Sequence, residues 1–258
     1  MRLRTIPISD HSKLRLSHLA FFVLLVGALE AIVKSGAISR LVVSAPSEIA
    51  ERLWSDLAAA ELWISFAETA SEVGASLLLS MLVGCVLGSM FYRFGRFRQA
   101  MEPLLIAFYS APAMLLYPVL MAVLGQGSAL IISMAVILGS VPIAVNVSVG
   151  FSSIDRILIK VGRSLRASPN QMLTLILIPA ATPVIVTGFR VGLTFALIAV
   201  ISLEFLTYSG GLGRLISWRY YTFDTTGVYS AIVLVTAIAI TINALLNALE
   251  RRVRKRWA

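Results

Sequence analysis

Apolar residues fall in blocks along this chain. Each block is long enough to cross a bilayer as a helix, which takes about 20 residues. The pattern predicts six spans, at 19–38, 69–91, 101–124, 129–151, 184–206 and 228–249. Longer polar intervals separate them at 39–66, 152–183 and 207–227. The first span follows a polar, basic tail (residues 1–18) carrying Arg2, Arg4, Lys13 and Arg15. A basic stretch before a short apolar core also describes a cleaved leader. The apolar character continues past Leu29 through Ala31, Ile32 and Val33, which favours a retained span. Glu30 and Lys34, four apart, are spaced to pair on one helix face.

The interval 39–66 holds an amphipathic helix in this reading. Pro46 precedes Glu48 and Glu51, which suits a helix start, and Ile49, Leu53 and Leu57 recur at helical spacing. In the second span Ser76, Ser80, Gly84 and Gly88 recur every four residues. Such a small-residue face admits close approach of another helix, either within the chain or across a dimer seam. The third span carries Pro112 and Pro118, which predict kinks, and Pro103 near its start. Gly125-Gln126-Gly127 reads as a tight turn.

Composition agrees with the blocks. The chain has 258 residues, 58% hydrophobic and only 14% charged, against about 25% charged in soluble domains. The fold class is therefore all-α and integral to a membrane. A net charge of +9 would suggest nucleic acid in a soluble protein, but here the bases flank apolar spans, as topology and lipid headgroups require. With the N-terminus placed in the cytoplasm, sixteen of the 22 Lys and Arg residues lie on the cytoplasmic side and five on the other, with Arg190 near a span end. This bias supports six spans with both termini cytoplasmic, the basic segment 251–258 included. Cys85 is the one cysteine, and His11 and His18 lie in the tail. Neither a histidine or cysteine catalytic centre nor a metal site is expected, and no P-loop run is present to bind nucleotide phosphates. No cofactor is expected.

The interval 152–183 is the most patterned of the polar segments. Arg156, Lys160, Arg163 and Arg166 accompany Asp155. Ile157, Val161 and Leu165 form one apolar helical row, and Met172, Leu175 and Ile176 a second. Ala167-Ser168-Pro169 breaks between them, with Ser168 placed to cap the next helix. A short helix on the membrane surface, exposed on its far side, suits the groove of a partner.

These residues carry a resemblance. Arg163-Ser164-Leu165-x-Ala167-Ser168, then Ile176-x-Ile178-Pro179-Ala180-Ala181-x-Pro183 and Gly188-x-Arg190, resemble the cytoplasmic "EAA" loop of ABC importer permeases, in the nitrate/sulfonate/taurine branch. Ala45-Pro46-Ser47, Gly84-x-x-x-Gly88, Pro112 to Pro118 followed by Leu124-Gly125-x-Gly127, Glu204, and Ser209-Gly210-Gly211-Leu212-Gly213 agree with it in order. The resemblance covers residues 45 to 258. This chain departs from the pattern at Lys160-Val161-Gly162, where the family reads Glu-Ala-Ala, at Arg166, where it has Gly, and at Glu72, where relatives often carry Arg.

The resemblance implies a type I permease fold, with a core permease domain at 67–250, in a bacterial inner membrane. It further implies a homodimeric pore built with a second copy, a cytoplasmic ABC ATPase dimer, and a periplasmic solute-binding protein that delivers a small solute. The permease would have no ATPase site of its own. The surface that docks the ATPase would be Arg163, Ser164, Leu165, Arg166, Ala167, Ser168, Pro169, Gln171 and Met172. Within the membrane, Glu204 lies 14 positions after Arg190, about 21 Å along a helix. That places it toward the outer end, as a gate or structural acid rather than a ligand for an anion. Ser110, Pro112 and Asn146 are further pore candidates, although interhelical bonding also accounts for Ser110 and Asn146. A secondary transporter would show paired repeats, which the sequence lacks. A channel leaves the patterned loop without a role, and an intramembrane enzyme needs a nucleophile with a base.

Overall fold

The computed structural model describes residues 9–39, 41–110 and 113–257. Every regular element among them is helical. The helices are α1 (Ser9–Lys34), α2 (Pro46–Ala58), α3 (Ala60–Arg93), α4 (Gly95–Ser110), α5 (Tyr117–Leu124), α6 (Ser128–Ser152), α7 (Arg156–Ser164), α8 (Pro169–Gln171), α9 (Ile178–Thr207), α10 (Gly211–Tyr221) and α11 (Thr225–Trp257). Among the described residues, four stretches are long and apolar enough to cross a membrane: Ala60–Arg93, Ser128–Ser152, Pro169–Thr207 and Thr225–Arg252.

The boundaries differ from the sequence pattern in three places, each for a physical reason. The polar interval expected at 39–66 contains all of α2, and α3 already begins at Ala60 after one extended residue, Ala59. The expected third span is divided. α4 stops at Ser110, a 3-10 turn covers Ala113–Leu116, and α5 restarts with Pro118 in its first turn, where a missing N–H costs nothing. Finally, Pro179 and Pro183 do not end the loop before a span beginning at Val184. The helical path runs on from Pro169 through a π turn at Met172–Leu177 into α9. The wider π turn relieves the clash a proline ring makes with the carbonyl one turn back.

α6 lies at the centre of the bundle, between α3 and α9. One core cluster joins Leu130, Ile131 and Met134 of α6 to Leu197, Val200 and Leu203 of α9 and Val73 of α3. A second, nearer α7, gathers Ile143, Val147, Phe151, Ile154 and Ala181. The small-residue face of α3 is buried against α6. A Cβ on Gly84 would lie 2.6 Å from Ile143, and one on Gly88 would lie 2.5 Å from the Ala144 carbonyl oxygen. Of the two readings open for that face, packing within the chain is the one this structure shows. Close backbone approach is what drives helix association where lipid replaces water.

Polar pairs lie within and between the helices. Lys34 and Glu30 meet at 2.6 Å at the end of α1. Arg190 of α9 pairs with Glu250 of α11 at 2.8 Å and also donates to Asn247. Thr187 donates to Glu250 at 2.8 Å. The Gln126 amide donates to the Thr207 carbonyl, joining the turn before α6 to the end of α9.

Candidate functional site

Two regions at opposite ends of the bundle carry the candidate residues. The first is the α7–α8 loop. Asp155 caps α7, accepting from the Ile157 N–H at 2.8 Å. α7 closes in a Schellman arrangement, with the Ala167 N–H bonded to the Gly162 carbonyl and the Arg166 N–H to that of Arg163, each at 3.0 Å. The position that turns left-handed in this motif is Arg166, with φ of 52°. The family pattern has glycine there, which is the residue that conformation favours.

Ser168 then opens α8 as the sequence predicts. Its N–H donates to Gln171 Oε1 at 2.9 Å, and the Gln171 N–H donates back to Ser168 Oγ at 3.3 Å, a reciprocal capping box. Gly162 is buried, and a Cβ on it would lie 2.5 Å from Ile176 Cδ1 and 2.8 Å from Met172 Cε. Glycine at this departure from the family pattern therefore lets α7 fold back closely onto the π turn.

The result is a compact hairpin with its apolar row turned outward. Ile157, Val161 and Leu165 are 64%, 49% and 76% exposed. Ile159 packs inward toward the core cluster of Ile143 and Val147. Arg163, Ser164, Arg166, Ser168, Pro169 and Gln171 are exposed as well, and Ala167 and Met172 are half-buried. Bases thus surround a line of apolar side chains left exposed among the described residues.

The second region surrounds the N-terminus of α10. Glu204 is fully buried. Thr69 Oγ1 donates to its carboxylate at 2.7 and 2.9 Å, and the Gly213 N–H donates to it at 2.8 Å. Thr69 Oγ1 also accepts from the Leu212 N–H at 2.8 Å, and Glu68 accepts from the Gly211 N–H at 2.7 Å. Three of the free N–H groups that begin a helix are thereby satisfied by side chains of α3 and α9, and the carboxylates face the positive end of the helix dipole. Gly210 and Gly211 have φ of 74° and 70°, which turns the chain sharply into α10. Glu72 also reaches this cluster from α3. It is buried, and its Oε2 has no hydrogen-bond partner among the described residues.

The other end of α10 is fixed by a network whose members lie far apart in the chain. Arg219 donates to Asp56 from Nη1 and Nη2, at 2.7 and 2.8 Å. Ser230 of α11 donates to the same carboxylate at 2.7 Å, and Arg219 Nη1 also donates to the Gly227 carbonyl. Burial pushes the Asp56 carboxyl up. The hydrogen bonds from Arg219 and Ser230, with the charges of Arg219 and Arg52, outweigh that and hold it below the usual aspartate value. One signal was available: Asp56 follows Ile49 by seven positions and Leu53 by three, so it lies on the inward side of α2.

Asn146 is not brought to either region. The Asn146 amide donates to the Pro142 carbonyl of its own helix at 2.8 Å, and the side chain packs against Gly188. Ser110 ends α4, with its side chain outside the described residues, as is Pro112 altogether.

The family described as "binding-protein-dependent transport system inner membrane component" matches residues 80–255. The chain belongs to this family. It is 25% identical over 220 residues to the taurine transport system permease protein TauC of Escherichia coli K12, covering 83% of this chain and 80% of that one. It is 28% identical over 210 residues to the riboflavin transport system permease protein RibX of Chloroflexus aurantiacus, covering 81% and 78%. The fold is similar to a chain of the inward-facing MetNI methionine ABC transporter, with a TM-score of 0.66 at 20% identity over 75% of this chain and 96% of that one. The protein is thus an ABC importer permease subunit, a multi-pass component of the inner membrane. Its family implies an ATPase and a binding protein as partners.

Proposed function

We propose that two copies of this permease form the pore, each with six spans and both termini in the cytoplasm, and that the α7–α8 hairpin docks on the ATPase. The observation that carries this reading is the exposed row of Ile157, Val161 and Leu165 on a capped hairpin edged with arginine. Outside the bilayer an exposed apolar row of this kind marks a partner's site, and a helix of this kind fits a hydrophobic groove. ATP-driven closure of the ATPase pair would then pull on α7 and, through the Gly162 contact with Met172 and Ile176, on α9. Arg163, Ser164, Leu165, Arg166, Ala167, Ser168, Pro169, Gln171 and Met172 form the docking surface in this account.

The solute is a small polar one, such as nitrate, taurine or another sulfonate, handed over by a periplasmic binding protein. The relatives named for taurine and nitrate transport support that class. Glu204 acts at the outer end as a structural acid. Its carboxylate is occupied by Thr69 and Gly213, and a negative group is unsuited to holding an anion. Ser110, Pro112 and Asn146 remain the pore candidates.

The test is uptake into proteoliposomes holding the permease with its ATPase. Accumulation of radiolabelled taurine or nitrate is expected only when ATP and the binding protein are both supplied. Uptake that runs on an ion gradient without ATP would contradict the reading.

A further inference from the structure

α10 is short, yet side-chain hydrogen bonds tie it to four other helices. At its N-terminus Glu204 of α9 and Thr69 and Glu68 of α3 hold the N–H groups of Gly211, Leu212 and Gly213. At its C-terminal end Arg219 is held by Asp56 of α2, and Ser230 of α11 shares the same carboxylate. Asp56, Arg219 and Ser230 are all buried. A guanidinium gripping a carboxylate with two parallel bonds fixes orientation as well as distance. Apolar packing reinforces the first half of α10, with Leu212 and Leu215 against Leu62 and with Val235 and Ile238 alongside. Side-chain pairs on the surface would let these helices slide; a carboxylate and a guanidinium bonded to each other in a buried setting have few alternative arrangements.

We propose that Asp56 is a positioning residue for transport: through Arg219 it locks α2 and α11 onto α10, and α10 carries the constraint to α3 and α9. This end of the chain then moves as one body when the transporter changes state. Alternating access therefore opens along the edge of this body and not between α2 and α9. α2 presents Glu51, Trp54 and Ser55 outward on the body's surface, so force applied there reaches the spans without loss to internal rearrangement. The proposal rests on the permease reading, and its test is separable from the tests of docking and uptake.

The test uses the permease bound to its ATPase in lipid nanodiscs, in a Cys85→Ser background, because Cys85 is the only native cysteine. Spin labels are placed at Ala50 on α2 and Leu206 on α9, both exposed, and labelled chains are diluted with unlabelled ones. Distances are read without nucleotide and in the ATP–vanadate state. One narrow distribution, unchanged between the two states, is expected. Asp56→Asn should broaden it, and Asp56→Glu should restore it. Asp56→Asn should also lower kcat for ATP about five- to tenfold per assembled complex, a coupling effect of ordinary size, with KM for ATP unchanged. A distance in the unaltered chain that shifts between states overturns the proposal. So does an Asp56→Asn complex with the original distribution and the original kcat per complex, whatever its yield.

Discussion

Asp56 and Arg219 stand 163 positions apart in the chain and meet as a two-pronged buried ion pair, at 2.7 and 2.8 Å. The pair explains why α2, which resembles a free surface helix in its sequence pattern, is seated on α10 and α11. Removing one partner of such a pair strands the other charge in a poor solvent, at a cost of about 3–5 kcal/mol. Asp56→Ala should therefore lower the thermal midpoint in detergent by far more than Glu51→Ala on the exposed side of the same helix.

The same carboxyl predicts a pH response. It is held below its ordinary value in the folded chain. A group depressed on folding adds stability above its unfolded pKa, about 3.9 for aspartate, and that stability is lost as pH falls through the folded value. The thermal midpoint should accordingly hold near neutral pH and drop as pH falls below about 4. The drop should be shallower in Asp56→Asn, which has nothing to protonate there.

Arg166 occupies the left-handed position that ends α7, with φ of 52°. A non-glycine residue there carries a penalty of roughly 1–2 kcal/mol. Arg166→Gly should raise the thermal midpoint of the isolated permease slightly, since glycine adopts this conformation freely. If the arginine is retained as a contact to the ATPase, the same variant should weaken co-purification while improving stability. Paired midpoint and pull-down measurements separate the two effects.

Glu204 accepts from the Thr69 hydroxyl and the Gly213 N–H in a fully buried setting. Glu204→Ala leaves both donors without a partner, at about 1–3 kcal/mol for each. Glu204→Gln keeps an acceptor oxygen at the site. The expected order of folded yield in size-exclusion chromatography is wild type, then Gln, then Ala. An Ala variant equal to the wild type would show that the acid has no part in holding α10.

Sequence and structure agree best where the chemistry is local. The Ser168 cap and the Glu30–Lys34 pair join residues only three or four positions apart, so spacing alone locates them. The small face of α3 was equally visible in the pattern, but not its partner, because a smooth helix face fits α6 or a second copy alike. The cap on α10 was hidden for another reason. Glu204 stood out as an acid in an apolar span, yet the groups it binds come from α3, 135 positions earlier, and from beyond the Gly210 turn. The spacing puts Asp56 on the inward side of α2, but its partner Arg219 lies 163 positions away and is found only through topology. The divided third span shows the converse limit: prolines mark where a helix bends, but not that Ser110 ends one helix and Tyr117 starts another.

In the proposed mechanism the ATPase covers the exposed row of α7. This is tested most directly by expressing the permease with its ATPase and purifying through a tag on the permease, with Leu165→Asp compared with the unaltered chain. Leu165 is 76% exposed, so a charge there should not unfold the permease, and monodisperse elution checks this. The account predicts that the ATPase co-purifies with the unaltered chain and is lost, or reduced at least about tenfold, with Leu165→Asp, a loss of about 1.4 kcal/mol or more in binding. Equal recovery of the ATPase with both chains would contradict it.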